Sequence, residues 1–157
     1  MNDLKLTIPK ESLHRSKSGV IYGQVYFQLG TEAFPDPRWS DLAVAFVLAW
    51  IAAIVRLCGS RNGAERVRFM DGPYWVDLSK STLNGDTVVV QMVVDRLKGP
   101  VASHSVTTSL GGLFSESVEL AQEVLATCRA KGWNNSEIDE LADRMNTAAH
   151  LAKPRVL

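Results

Sequence analysis

The sequence predicts an α+β fold in which an antiparallel β-sheet of about five to six strands carries a long buried helix and a C-terminal helical pair on one face. Several segments alternate apolar and polar residues, which is typical of half-buried strands. One fourteen-residue stretch, Leu42–Val55, has no charged, hydroxyl or amide side chain, and two later segments repeat apolar residues at helical spacing. The chain of 157 residues fits a single domain spanning positions 1–157.

The strand segments are short and closely spaced. They are Leu4–Ile8 and residues 19–30, 66–69, 74–79, 86–95 and 101–109. Turn residues separate the last four of them, at Asp71–Gly72, Asn84–Gly85 and Gly99–Pro100. Because such pairs favour tight reversals of the chain, the last four strands are predicted to form a meander of hairpins.

The apolar stretch Leu42–Val55 predicts a buried helix. A membrane-spanning helix needs about 20 apolar residues, and Asp41 and Arg56 enclose a shorter run. Ser40 is expected to cap the start of this helix and Trp39 to pack onto its first turn. Its alanines form a narrow stripe that faces either another helix of the same chain or a second copy in a homodimer. We expect burial within one domain, since a core helix that is apolar all round needs no partner chain.

Two helices follow the last strand. The first is predicted over Ser115–Lys131, after a turn at Gly111–Gly112. The second begins at Ser136–Asp139, where the sequence SEID resembles a capping box, and it ends at Pro154. The short connection between them predicts a helical hairpin.

Charge and cysteine content narrow the function classes. Lys plus Arg and Asp plus Glu are equal at 17 each, so the chain lacks the basic excess that drives nucleic-acid binding. The N-terminal segment lacks the basic start and apolar run of a secretory signal, and we expect a cytoplasmic protein without membrane attachment. Cys58 and Cys128 have no CxxC partner and are expected to be reduced and buried.

The sequence contains no catalytic signature, and we expect neither a metal nor a cofactor. The segment Ser103–Ser105, SHS, contains a histidine between two serines. We do not expect a serine nucleophile with a histidine base there, because adjacent strand residues point to opposite faces. We therefore expect a non-enzymatic protein. The alternative is an enzyme or a small-ligand-binding protein, whose pocket is assembled from residues distant in sequence. Its candidate residues are Asp71, Tyr74, Asp77 and His104.

The sheet face turned away from the helices is the candidate partner-binding surface. Alternation assigns rings, amides and hydroxyls to it, unlike the Lys- and Glu-rich side of an ordinary sheet. The candidate residues are Tyr22, Gln24, Tyr26, Trp75, Asp77 and Gln91. Trp75 is the expected anchor, because large rings dominate protein-binding energetics. An ordinary solvated face with favourable cross-strand pairs explains the same pattern equally well.

Two segments carry a resemblance to known proteins. The order FPDPRWSDLAVAFVLAWIAAI, then RFMDGPYWVDL, then a helical pair resembles small uncharacterised bacterial α+β proteins that are similar to immunity proteins of polymorphic toxin systems. Its specific part is Phe34–Pro35, Trp39, Asp41 and Phe69–Tyr74. The resemblance implies a non-enzymatic protein that binds and blocks a toxin, and it assigns no site residue.

Overall fold

The described part of the chain folds into three antiparallel sheets around a central helix. The computed structural model describes residues 4–80 and 86–152. One sheet contains β1 (Leu4–Thr7), β4 (Tyr26–Leu29) and β5 (Glu32–Phe34), and a second contains β2 (His14–Arg15), β3 (Ile21–Gln24) and β6 (Ser40–Leu42). The third contains β7 (Ala64–Arg68), β8 (Tyr74–Lys80), β9 (Thr87–Arg96) and β10 (Gly99–Ser109). The helices are α1 (Ala43–Cys58), α2 (Leu110–Ala130) and α3 (Ser136–Ala152). The architecture is α+β, as predicted.

The prediction of one sheet of five to six strands is wrong, because the described strands form sheets of three, three and four. The strand predicted over residues 19–30 divides at Val25, whose N–H donates to the carbonyl of Trp39 at 2.9 Å. On one side of Val25, β3 pairs with β2 and β6, and on the other side β4 pairs with β1 and β5. Ile21, Val25 and Phe27 are nevertheless all buried. Alternation predicted the side that faces the core, whereas it carries no information about which strand pairs with which.

The four-stranded sheet is a meander of antiparallel hairpins in the order β10-β9-β8-β7, as predicted. Val88, Val90 and Met92 on β9 are completely buried on its inner face, which agrees with the outward direction predicted for Gln91 on the same strand. The predicted turn at Asn84–Gly85 lies outside the described residues. This sheet has one face on the core and the other turned away from it.

Helix α1 packs against the other helices as well as against strands, including β3 and β7. Trp50 and Ile51 are at most 2 % exposed, and this confirms that the apolar stretch is buried inside the domain. The Trp50 indole N–H donates to Ser117 Oγ at 2.9 Å, and that hydroxyl donates to the Leu113 carbonyl at 2.6 Å. The buried polar groups between α1 and α2 are therefore satisfied. None of the described helices combines the length and apolar content needed to cross a bilayer.

The start of α1 differs from the prediction. Ser40 lies in β6 and provides no cap; Leu42 is the residue before the helix. Instead, the carboxylate of Asp41 accepts the Leu42 N–H at 2.7 Å. The side chain of Trp39 packs on Tyr74. The strand pairing of β6 with β3 holds Ser40 in extended backbone immediately before the helix.

The starts of α2 and α3 also have different caps from those expected. Helix α2 begins at Leu110 rather than Ser115, because Ser109 Oγ accepts the Gly112 N–H at 3.1 Å and caps it earlier. Asn135 Oδ1 accepts the Ile138 N–H at 2.8 Å, so an asparagine before Ser136 caps α3. The predicted helix end at Pro154 lies outside the described residues.

Both cysteines are free thiols. Cys128 is buried in α2, as expected, whereas Cys58 at the end of α1 is exposed. The prediction of two buried thiols is therefore wrong for Cys58, which lies where α1 leaves the core.

Candidate functional site

The outer face of the four-stranded sheet is defined by its register, since directly opposed residues of antiparallel strands lie on the same side. Its central residues include Ala64, Arg66, Arg68, Trp75, Asp77, Ser79, Val89, Gln91, Val93, Ser105 and Thr107. All except Trp75 and Val93 are exposed or half-buried. The outer face is thus open to a partner over most of its area.

The centre of the outer face is a group of hydrogen-bonded and stacked side chains around Trp75. The guanidinium carbons of Arg66 and Arg68 lie 4.5 and 4.7 Å from the centroid of the Trp75 ring. The Trp75 indole N–H donates to Asp77 Oδ2 at 3.2 Å. Stacking on an indole restricts a guanidinium while leaving its N–H donors free to bind other groups. These contacts hold the two cations in position before any partner arrives.

The two arginines differ in their pairing. Arg66 forms a two-pronged ion pair with Asp77, with Nε donating to Oδ1 at 2.7 Å and Nη2 to Oδ2 at 3.1 Å. This hydrogen bonding to Asp77 raises the pKa of Arg66, which therefore stays cationic. Arg68 forms no ion pair with any residue that the structure describes. Its guanidinium is the available cation of the outer face.

Trp75 lies on the outer face, as the alternation predicted, but it is only 3 % exposed. The expectation of an exposed aromatic anchor is therefore wrong. The reason is that Arg66 and Arg68, its neighbours on β7, fold over the ring and cover it. Trp75 therefore supports the two arginines from below, and within this group the arginines, not the tryptophan, are accessible to a partner.

The six candidate residues do not share one surface. Trp75, Asp77 and Gln91 belong to the outer face. Tyr22 and Gln24 lie on β3 and Tyr26 on β4, in the two other sheets. Tyr22 is half-buried and stacks on His14, with ring centroids 5.6 Å apart. The predicted grouping failed because alternation orders residues along one strand and does not place separate strands together.

A second cluster joins the two segments that carry the family resemblance. Trp39 packs edge-on against Tyr74, with ring centroids 4.9 Å apart. Its ring lies over Gly72, where an added Cβ would come within 2.5 Å and where φ is +74°. Asp41 is only 2 % exposed, and its Oδ2 accepts the Trp39 indole N–H at 3.1 Å and the Asp71 N–H at 3.4 Å. We call Trp39, Asp41, Asp71, Gly72 and Tyr74 the turn cluster.

The residues of the turn cluster are visible in the sequence, but their spacing does not predict that they come together. Its members occur in two short runs about thirty residues apart, and each run has a local capping or turn explanation. The single buried carboxylate of Asp41 connects them. The side chains of Asp71 and Tyr74 line an open depression of about 480 Å³ beside it.

The alternative pocket is not assembled. Asp71 and Tyr74 meet at the depression, but Asp77 lies on the outer face, bound to Arg66. His104 lies on β10, where its Nε2 is 2.9 Å from Glu32 Oε2. The four candidate residues therefore occupy three separate places.

The expectation that Ser103 and His104 point apart is wrong. Ser103 Oγ lies 2.9 Å from His104 Nδ1, because the register of β10 shifts between Ala102 and His104. Glu32 on the other ring nitrogen completes a row of hydroxyl, imidazole and carboxylate. Ser103 is exposed and Glu32 is 67 % exposed, so this row lies open to water. Enclosed, low-dielectric surroundings, which strengthen catalytic electrostatics, are missing there.

Among the described residues, no three His, Cys, Asp or Glu side chains lie close enough together to hold a metal ion. Comparison with models of known protein families, with curated proteins and with solved structures found no match to this chain. The outer face of the four-stranded sheet and the turn cluster are therefore the features from which a function can be inferred.

Proposed function

We propose that this chain is a non-enzymatic protein-binding domain of the immunity type, which binds and blocks a toxin protein through the outer face of its four-stranded sheet. The observation that carries the proposal is the open outer face with Arg66 and Arg68 stacked over Trp75. Arginine is enriched where proteins bind each other, and the Trp75 ring holds both guanidinium groups in position for such a contact. The toxin partner and the bacterial setting rest on the family resemblance alone, and the proposed cytoplasmic location rests on the N-terminal segment.

The surroundings of this group support protein recognition. Gln91, Ser105 and Thr107 are exposed on the outer face and provide uncharged donors and acceptors near a cationic centre. Such groups orient a partner by hydrogen bonds without the desolvation cost of many charges. The outer face has a depression of about 370 Å³ beside Arg66 and Asp77, which is open and bordered mainly by charged and polar side chains. Such a face suits a protein surface better than a small molecule, whose sites are enclosed and mostly apolar.

Reversing the charge of Arg68 is the sharpest test of the proposed face. Arg68→Glu is expected to weaken the complex by roughly thirtyfold, about 2 kcal/mol, because it replaces the available cation of the outer face. The matched control is Arg144→Glu, the same change at an exposed arginine of α3, and it should leave the affinity unchanged.

The measurement is calorimetric titration of each variant with the protein that co-purifies stoichiometrically with the tagged wild type from its native cells. Thermal melts of both variants exclude unfolding as the cause. Loss of affinity in Arg144→Glu alone would move the interface to the helices and contradict the proposal.

One observation favours the enzymatic alternative, namely the row formed by Ser103, His104 and Glu32. It supports an ester hydrolase with Ser103 as the nucleophile and His104 as its base. Because the row is open to water, we expect p-nitrophenyl acetate to be hydrolysed at equal rates by the wild type and Ser103→Ala. A rate more than tenfold lower in both Ser103→Ala and His104→Gln would support the enzyme and count against the proposed function.

A further inference from the structure

The tip of the hairpin between β9 and β10 presents a leucine that no described residue covers. Leu97 has a relative exposure of 109 %, and Val101 beside it is 48 % exposed. Every residue from Asp95 to Ser103 is exposed except Gly99, which is half-buried. The tip therefore stands clear of the body of the domain.

The turn itself does not explain the leucine. Arg96 and Gly99 are directly paired, so Leu97 and Lys98 form the loop of the hairpin. Gly99 has the positive φ of +114° that this reversal needs, while Leu97 and Lys98 keep negative φ values that any residue adopts. A polar residue would serve the turn equally well and would leave less apolar surface in water.

The charges on either side of Leu97 are both positive. Arg96 and Lys98 flank Leu97 directly, and neither forms an ion pair with a residue that the structure describes. Asp95 is the one acid at the tip. Residues Asp95–Val101 also line an open depression of about 630 Å³, so a partner can contact Leu97 and the surface beside it together.

We propose that the hairpin tip inserts into a cleft of the partner protein that has an apolar floor for Leu97 and acidic groups at its rim for Arg96 and Lys98. The inference rests on the proposed function and names the part of the domain that blocks the partner. Protein clefts are concave and mostly apolar, and a protruding apolar side chain between two cations complements one with acidic edges.

A protein cleft fits the tip better than a lipid surface. One leucine and two cations provide only weak, reversible attachment to a bilayer, since stable anchoring needs more buried apolar surface or a larger basic patch. A cleft can enclose Leu97 on several sides and desolvate it fully. In a dimer of this chain, the second copy would have to place acidic groups next to Arg96 and Lys98 of each hairpin tip.

Site-specific photo-crosslinking tests the insertion in native cells. A benzophenone amino acid is placed at Leu97, at Gln91 on the outer face, or at Arg144 on α3. We expect positions 97 and 91 to crosslink to the same protein, and position 144 to stay silent. The peptide crosslinked to position 97 should contain apolar residues together with Asp or Glu.

Affinity measurements with that isolated protein complete the test. Leu97→Ser and Lys98→Glu are each expected to weaken binding at least tenfold without lowering the melting temperature, because neither side chain packs on the domain. Met70→Ser changes another exposed apolar residue, 43 % exposed, and should leave the affinity unaltered.

The outcomes separate the two proposals. Crosslinks from position 91 without any from position 97 would overturn the insertion and leave the proposed function standing. Silence at both positions would contradict both. Crosslinking of position 97 to a second copy, or Leu97-dependent co-sedimentation with phosphatidylglycerol vesicles, would overturn the insertion in favour of that occupant.

Discussion

Ile51→Asp is expected to unfold the protein. Ile51 is 2 % exposed in the middle of α1, within the main apolar core. A carboxylate there would lie among buried apolar side chains, where it either stays charged without water or takes up a proton, and both cost several kcal/mol. The free energy of unfolding of the whole domain is expected to be only about 5–15 kcal/mol.

Urea unfolding followed by circular dichroism measures the effect. The control is Ile51→Val, which removes one methylene at the same site and should cost about 0.5–1.5 kcal/mol. A melting temperature of Ile51→Asp within a few degrees of the wild type would contradict the buried position of α1.

Asp41→Ala is expected to destabilise the protein by roughly 2–4 kcal/mol, because three donors lose the one carboxylate that satisfies them. These donors are the Trp39 indole N–H and the main-chain N–H groups of Leu42 and Asp71. The change removes the hydrogen bond that joins the segment before α1 to the turn between β7 and β8 and leaves only the ring contacts of Trp39 between them. Asp41→Asn should fall between the wild type and Asp41→Ala, since its amide keeps one oxygen acceptor.

Asp71→Ala is the matched control for this prediction. It also removes an acid from the turn cluster, but the Asp71 side chain is exposed, and its one hydrogen bond to a described residue is from the neighbouring Gly72 N–H, at 3.0 Å. Its main-chain bond to Asp41 is retained, so we expect a loss below about 1 kcal/mol. Equal losses in Asp41→Ala and Asp71→Ala, measured by urea unfolding, would show that the carboxylate of Asp41 does not hold the cluster together.

Much of the candidate site was predictable one strand at a time. Alternation placed Trp75, Asp77 and Gln91 on the side of the sheet away from Met92, and the register confirms it. It did not predict that Trp75 is covered, because the predicted hairpin of β7 and β8 gives the strand pairing but not the side-chain conformations that lay Arg66 and Arg68 over the ring. It also missed the contact between Ser103 and His104, since a β-bulge interrupts the alternation.

By itself the sequence determined the fold class, the buried helix α1, the hairpin meander and the inward side of the strands that it predicted, apart from the bulged part of β10. These features depend on turn residues and on the period of apolar residues along short stretches. Only the tertiary structure decided the division into three sheets, the burial of Asp41 between two distant segments and the stacking of Arg66 and Arg68 on Trp75. The first two depend on contacts between residues far apart in the chain, and the third depends on side-chain conformations across the hairpin of β7 and β8. Local periodicity does not encode such contacts, since many strand pairings bury the same apolar side chains.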